Sequence, residues 1–297
     1  MPENTQGRYE AALASFDAWC LSVRLERDQL PDEVLDWAVA DYLLEMIVDE
    51  NFQVSLGLSL TAALRKRDPR LNLPVTVKLL GDWRKDNPPE QAAALPKQFV
   101  YAAFTLVWAG GEPALATLYL LCFCGLLRIG EGLKLEKRQV LFATSGERPA
   151  AVVMLGATKR GVDDKIELSN PHVVDALGQV CRLCDKNSGR LFAFSYEKVR
   201  RRLIATLSAL GVDCTCVKTH SLRRGGATEL YRQGVDLASI VVFGRWASEK
   251  SARVYIRQAE PTLLRLGSRL SPQQHDYVMK LAAAAALVPK AFPAFRR

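Results

Sequence analysis

The sequence has no apolar run of about 18 residues, the length that a membrane-spanning helix needs, so no transmembrane segment is expected. Its first residues, MPENTQGRYEAAL, lack the basic and apolar stretches of a secretory signal. The seven cysteines are an odd number, which favours reduced thiols over a disulfide framework. These absences predict an intracellular protein, nuclear in a eukaryote and cytoplasmic or nucleoid-associated in a bacterium or phage.

Two cysteine pairs raise the question of a metal site. Cys181 and Cys184 have the C-x-x-C spacing of a zinc knuckle, but Cys214 and Cys216 are too close together for a usual finger. We expect these cysteines to pack as small hydrophobic side chains. The sequence therefore predicts no metal site and no cofactor.

Charge is divided unevenly along the chain. Residues 1–96 carry 10 Lys and Arg against 16 Asp and Glu, a net charge of −6. Residues 97–297 carry 30 against 16, a net charge of +14. A local excess of this size favours a polyanionic partner such as nucleic acid over simple solubility, although charge alone does not identify the partner.

Helical periodicity dominates the first part of the chain, for example over Arg8–Val23 and after the predicted cap Asp32. Prolines interrupt the pattern around Lys85–Pro96, which predicts a linker. Farther on, extended runs at Ala150–Leu155 and Lys165–Leu168 predict a hairpin among further helices. The expected fold is mainly α with a small antiparallel β-sheet. At 297 residues we expect a helical N-terminal domain at 1–90, a mixed domain at 91–270 and a tail with a helix at 271–297.

Six residues that suit phosphodiester chemistry follow one another in the basic part of the chain. They lie in the segments GLLRIGEGL, GATKRG, HSLRRGG, GRW and ARVYIR, and in chain order they are Arg128, Lys159, His220, Arg223, Trp246 and Tyr255. Together they provide what a protein needs to break a DNA backbone with its own tyrosine and no metal.

Attack on a phosphodiester places further negative charge on its non-bridging oxygens. Guanidinium groups bind such oxygens through paired hydrogen bonds, so Arg128 and Arg223 are candidates for this role. A tyrosine hydroxyl must lose its proton during attack. Tyr255 is therefore the candidate nucleophile, and His220 is a candidate to accept that proton or to hold an oxygen.

The remaining residues supply a proton, a hydrogen bond and an orienting charge. Lys159, expected near the tip of the hairpin, is the candidate acid for the leaving 5′-oxygen, with Lys165 as a competitor. The indole N–H of Trp246 can donate to the phosphate. Glu131, one turn after Arg128, is expected to orient a neighbouring cation. A phosphotyrosine keeps the free energy of the broken bond, so rejoining needs no ATP.

Each of these residues also has an ordinary structural explanation. H-x-x-R is a short and common pattern, and most tryptophans are partly core residues. Tyr255 competes with Tyr196 and Tyr231, and a buried tyrosine usually serves packing. The occurrence of all six residues in one order is what favours the catalytic interpretation.

This ordered pattern resembles the tyrosine recombinase (phage integrase) family, with a catalytic domain like that of the phage recombinase Cre. The phrases LRRGGATELYRQG and LLRIGEGLKL are also similar to recombinases of eukaryotic mobile elements. The resemblance covers about residues 97–260; residues 1–96 resemble the family's core-binding domain in length, helicity and position. It implies a two-domain clamp around double-stranded DNA, strand exchange through 3′-phosphotyrosyl intermediates, and a homo-oligomer of four protomers.

The resemblance also implies which basic residues face the DNA. Residues 1–50 hold 3 basic and 12 acidic residues, so the first two helices are expected to lie away from the DNA, against another protomer, unless the N-terminal domain is shortened or degraded. The DNA-facing candidates are Arg65, Lys66, Arg67, Arg70, Arg84, Lys85, Arg160, Arg224 and Arg245. The predicted helix Gln273–Leu287 either docks on a neighbouring protomer or folds back on its own domain.

Three alternatives stay open on the sequence alone. The chain is also consistent with a catalytically inactive DNA-binding protein derived from a recombinase, or with a type IB topoisomerase that relaxes DNA by related chemistry. The two short helices over Ser221–Phe243 also fit a helix-turn-helix regulator, although that reading leaves Arg128, Trp246 and Tyr255 unexplained.

Overall fold

The computed structural model describes residues 3–48, 53–87, 92–143, 150–157, 163–184, 189–257 and 270–291. Contacts divide the chain into two compact units, Met1–Glu90 and Gln91–Arg297. The helices of the first unit are α1 (Glu3–Ser22), α2 (Asp32–Val48), α3 (Val54–Arg67) and α4 (Pro74–Asp86). Those of the second unit are α5 (Lys97–Ala109), α6 (Pro113–Cys124), α7 (Ile129–Gly132), α8 (Pro171–Leu183), α9 (Tyr196–Ala209), α10 (His220–Arg232), α11 (Leu237–Phe243), α12 (Glu249–Arg257), α13 (Pro272–Ala284) and α14 (Val288–Ala291).

The described part of the chain contains one sheet, with strands β1 (Val140–Phe142), β2 (Ala151–Ala157) and β3 (Asp163–Leu168) in that order. Both pairings are antiparallel, with Val153 opposite Val140 on one side and Ile166 on the other. The expected fold class, mainly α with a small antiparallel sheet, is confirmed. β2 and β3 form the predicted hairpin, and its tip lies outside the described residues.

The first unit is a helical bundle with its own core. Phe16, Leu43, Leu60 and Leu73 are fully buried there, so each of the helices α1 to α3 and the entry to α4 contribute to one apolar cluster. This burial stabilises the unit because each large apolar side chain removed from water contributes about 1.5–3 kcal/mol.

Helix α4 was not predicted from the sequence, because the prolines on either side of it indicate chain interruptions and its N-terminal cap lies on another helix. Pro74 stands at its first turn, where a proline costs no hydrogen bond. The cap comes from α2: the buried Asp36 carboxylate accepts the backbone N–H of Val75 at 2.8 Å and that of Thr76 at 2.9 Å. An acid at a helix N-terminus satisfies unpaired N–H groups and complements the helix dipole.

Helix α6 is the centre of the second unit. All of its residues from Leu115 to Phe123 are buried, which agrees with the near-continuous apolar sequence ATLYLLCFC. Helices α5, α8 and α10 pack around it. A helix that is apolar on every side needs neighbours on every side, so α6 sets where the others lie.

Two adjacent glycines allow α10 to lie very close to its neighbours. A Cβ atom on Gly226 would be 1.9 Å from the carbonyl oxygen of Phe123 in α6, and one on Gly225 would be 2.1 Å from that of Leu95. Any side chain here would push α10 away. The glycines of HSLRRGG therefore set the position of the helix that begins with His220 and carries Arg223.

The C-terminal segment folds back on the second unit. Helix α13 packs against α5, and Val278 is buried in the same core. The Thr105 hydroxyl donates to the carbonyl oxygen of Leu281 at 2.8 Å, and the Gln179 amide donates to that of Pro289 at 2.6 Å. Of the two possibilities for this helix, the structure has the one in which it covers its own domain.

Across the described residues, we find no helix that combines the length and the apolar character required to cross a bilayer.

Replacing Gly226 by alanine should destabilise the second unit by about 3 kcal/mol, because backbone atoms, rather than a flexible side chain, occupy the space of the new methyl group. Gly130→Ala is the control, since nothing lies within 4 Å of a Cβ there and the helix gains up to about 1 kcal/mol. Urea denaturation followed by tryptophan fluorescence measures both. Equal stabilities of the two variants would contradict this packing.

Candidate active site

Arg128 lies in the turn between α6 and α7. The chain leaves α6 through Leu126, whose φ of 48° lies in the left-handed region, and Arg128 then caps α7. The Glu131 carboxylate accepts the backbone N–H of Arg128 at 2.8 Å and its Nη1 at 2.6 Å. The same carboxylate thus caps the short helix and orients the half-exposed guanidinium.

Glu131 also faces two further guanidiniums. Its Oε2 accepts Nη2 of Arg245 at 3.0 Å and lies 3.9 Å from Nη1 of Arg223. Burial alone would raise the pKa of Glu131, but the two hydrogen bonds from Arg128 and the charge of Arg245 together hold that pKa below its ordinary value. The carboxylate is therefore ionised at neutral pH, with its oxygens hydrogen-bonded to Arg128 and Arg245.

Arg223 is 1% exposed, on the first turn of α10. Its Nη2 donates to the carbonyl oxygen of Gly244, and its Cζ lies 4.5 Å from the ring centroid of Trp246. A guanidinium over an indole face is attracted by the ring quadrupole, more strongly where water is excluded. The side chain is thereby held between Glu131 and Trp246.

Trp246 belongs to a small apolar cluster in which it packs against α12. Leu126, Ala252 and Ile256 are buried with it. Ala252 and Ile256 are one turn apart on α12, so they form the buried face of that helix. Tyr255 is the neighbour of Ile256 on α12, and its side chain is not among those that the structure describes.

His220 is the first residue of α10, one turn before Arg223. Burial, followed by the positive charges of Arg223, Arg224 and Arg128, lowers the pKa of His220 to about 4. The imidazole is therefore neutral at pH 7, the form that accepts a proton.

Two predicted residues, Lys159 and Arg160, lie outside the described residues. Lys165, the competitor of Lys159, is described on β3, where it is exposed and its Nζ lies 3.7 Å from a carboxylate oxygen of Glu167. The choice between Lys159 and Lys165 as the acid stays a prediction.

Arg224 and Arg245 occupy a different environment from the DNA-facing surface that the resemblance implied. They are 2% and 4% exposed, and the guanidinium of Arg245 is bound to Glu131 and to two backbone carbonyl oxygens. Arg245 therefore contacts the candidate site directly through Glu131. Arg224 is buried on α10, next to Arg223 in the chain. Sequence reasoning missed this because a basic residue within a basic segment carries no sign of its burial.

The other basic candidates are all exposed in the first unit. They lie in the last turn of α3, shortly after it, and in the last turn of α4, and they are Arg65, Lys66, Arg67, Arg70, Arg84 and Lys85. Two contact nearby polar groups: Lys66 donates to Gln6 at 3.0 Å, and Lys85 pairs with Asp82 at 2.8 Å. Cations suit helix C-termini, so these positions also serve the helices themselves.

The cysteines of the described segments lie in no group that could hold a metal ion. Cys181 is buried, and the Cys184 thiol donates to the carbonyl oxygen of Arg190 at 3.2 Å.

Comparison with known proteins identifies one family and several solved structures with a similar fold. The family model described as the phage integrase family matches residues 112–261. The XerH site-specific recombinase bound to palindromic difH substrate has a similar fold, with a TM-score of 0.61, 14% identity, and coverage of 88% of this chain and 78% of that one. The Tn1549 transposon integrase in complex with transposon right end DNA has a TM-score of 0.59, 14% identity, and coverage of 96% and 95%. No curated protein sequence matches the chain.

Because the pKa of His220 is lowered, we predict that its imidazole titrates near pH 4 and that the folded protein loses stability as pH falls. The unfolded imidazole binds a proton at a pKa near 6.5 and the folded one at about 4, so stability contributed by the neutral form is lost as pH falls through this interval. Histidine NMR of the DNA-free protein measures the titration directly. The chain has three histidines, so His220→Gln identifies the resonance. A midpoint near 6.5 would contradict the site described here.

Proposed function

The chain belongs to the phage integrase family, and we propose that it cleaves and rejoins DNA with Tyr255 as the nucleophile. As a member of that family it is a tyrosine recombinase, an enzyme of DNA breaking and rejoining. One chain of contacts supports the assignment of residues: Arg128 binds Glu131, Glu131 lies beside Arg223, and Arg223 packs on Trp246. Trp246 in turn packs in a cluster with α12, the helix that carries Tyr255.

In the proposed cleavage step, the Tyr255 oxygen forms a bond to phosphorus and the bond from phosphorus to the 5′-oxygen breaks. The product is a 3′-phosphotyrosine and a free 5′-hydroxyl. Arg128 binds the non-bridging oxygens as charge develops on them, and the buried positive charge of Arg223 stabilises that charge from behind Arg128's partner Glu131. Neutral His220 accepts the phenol proton, and Lys159 donates a proton to the 5′-oxygen. Rejoining is the same step in reverse with a new 5′-hydroxyl.

Arg223 and Trp246 are buried whereas Arg128 is half-exposed, so we propose different roles for them. Arg128 is half-exposed and keeps N–H donors for a phosphate beyond those bound to Glu131. Arg223 is enclosed by Gly244, Trp246 and Glu131. We propose that Arg223 contributes a fixed positive charge, with Trp246 packing against it and donating to the phosphate through its indole N–H.

DNA is the proposed partner of both units. The net charge of +14 on residues 97–297 favours a polyanion over the second unit, and the exposed basic ends of α3 and α4 offer phosphate contacts on the first. We propose that the protein acts as a tetramer on DNA. A palindromic substrate, such as the one named for XerH, presents two equivalent halves and suits a symmetric assembly.

Tyr255→Phe should abolish the covalent protein–DNA adduct while leaving DNA binding nearly unchanged, because only the attacking oxygen is removed. A nicked suicide substrate run on a denaturing gel measures the adduct. Because the target sequence is not known, random DNA is used first and the captured strand is sequenced. Tyr231→Phe, an exposed tyrosine on α10, is the control and should keep the adduct. An undiminished adduct with Tyr255→Phe overturns the assignment.

Replacing both Arg65 and Arg84 by glutamine should weaken DNA binding about equally on all sequences. Each lost phosphate contact should reduce the slope of log K against log salt by about 0.9. Fluorescence anisotropy over a salt series measures both quantities. Arg24→Gln removes an exposed arginine from the same unit and should leave the slope unchanged. Identical slopes for the double variant and the wild type would remove α3 and α4 from the DNA interface.

A further inference from the structure

We propose that Arg245 is a positioning residue of the active site, which holds Glu131 and, through it, the phosphate-binding guanidinium of Arg128. This inference rests on the proposed function, because it assigns Arg245 a task in the same cleavage reaction. Arg245 is 4% exposed, so it does not present its guanidinium to a phosphate at the surface.

The backbone of Arg245 adopts a conformation that side chains disfavour. Its φ is 55°, in the left-handed region where the Cβ crowds the backbone. Glycine would adopt this conformation without that crowding. The side-chain contacts of Arg245 offset this unfavourable backbone.

The side chain connects the two turns that flank the site. Its Nη2 donates to the carbonyl oxygen of Leu126 at 3.1 Å and to Oε2 of Glu131 at 3.0 Å, while its Nη1 donates to the carbonyl oxygen of Phe243 at 3.1 Å. Leu126 and Glu131 flank Arg128 in the chain. One guanidinium therefore fixes the segment before Trp246 against the segment that carries Arg128.

The contact also adds to the hydrogen bonds from Arg128 that keep Glu131 ionised. The groups around this carboxylate are the guanidiniums of Arg128, Arg223 and Arg245, together with His220 and the buried thiol of Cys122 on α6. The negative charge of Asp164 on β3 also acts on Arg245. The charge of Arg245 lowers the pKa of Glu131 against its burial, which keeps it able to accept both hydrogen bonds from Arg128.

Arg245→Gly removes the guanidinium and at the same time relieves the backbone crowding. A loss of activity in this variant therefore comes from the missing side chain. Arg24 offers a matched control, because its φ of 59° is close to that of Arg245 and its side chain is exposed in the other unit. Arg24→Gly should cleave like the wild type. Arg245→Gly should bind DNA like the wild type but form the Tyr255 adduct about 10- to 100-fold more slowly, the range usual when the support of an active-site group is lost.

The pH dependence of adduct formation tests the route through Glu131. In Arg245→Gln the Glu131 carboxylate loses a neighbouring positive charge, so its pKa rises. As the pH is lowered, the adduct rate of this variant should therefore begin to fall at a higher pH than that of the wild type. Arg245→Lys keeps the charge and should restore the wild-type pH profile. In a Glu131→Gln background, Arg245→Gln should have little further effect, since the two changes act on one interaction.

The outcomes separate this inference from the function on which it rests. If the wild type forms no adduct with any DNA while Tyr255→Phe behaves identically, the proposed function fails. If the wild type forms the adduct and Arg245→Gly and Arg245→Gln match its rate and pH profile, Arg245 has no positioning role. Should Arg245→Gly not stay folded, the glutamine and lysine variants decide, because they keep a long side chain in place.

Discussion

The candidate active site depends on one partly buried carboxylate among three guanidiniums. Arg128, Arg223 and Arg245 would repel one another if Glu131 did not lie between them. One negative charge against three positive charges still leaves the site positive, in surroundings where water screens little. The excess is two positive charges, and a phosphodiester would bring one negative charge to it, so the site suits an anion.

Glu131 lies near all three arginines because the fold brings their backbone segments together. The largely buried α6 ends at Cys124, two residues before Leu126, and Gly226 lets α10 approach the end of α6 within backbone contact. The turn at Arg245 then brings Trp246 over Arg223. Gly244 has no space for a Cβ beside the Trp246 ring, so this turn is packed as tightly as the helices. Close packing transmits any displacement, and small changes here are expected to reach the site.

The ordered pattern of six residues was enough to predict the family and the fold class, and both are confirmed. The structure brings together four of the residues named from the sequence, Arg128, Glu131, Arg223 and Trp246. Their catalytic roles and that of Tyr255 stay proposals, and Lys159 lies outside the described residues. Arg245 was expected to face DNA because its type and neighbours were basic. Its burial and its contact with Glu131, 114 residues away, depend on packing that no local pattern reports.

The sequence by itself determined what acts over a few residues. The apolar run of α6, the alternation of the hairpin and the caps at Ser195 and Ser271 follow from period and side-chain type at short range. Tertiary structure decided what joins distant segments. Helix α4 escaped prediction because its cap, Asp36, lies about 40 residues upstream on α2. The grouping of Arg245 with Glu131 was hidden for the same reason: hydrogen bonds and burial between distant residues exist only once the chain has folded.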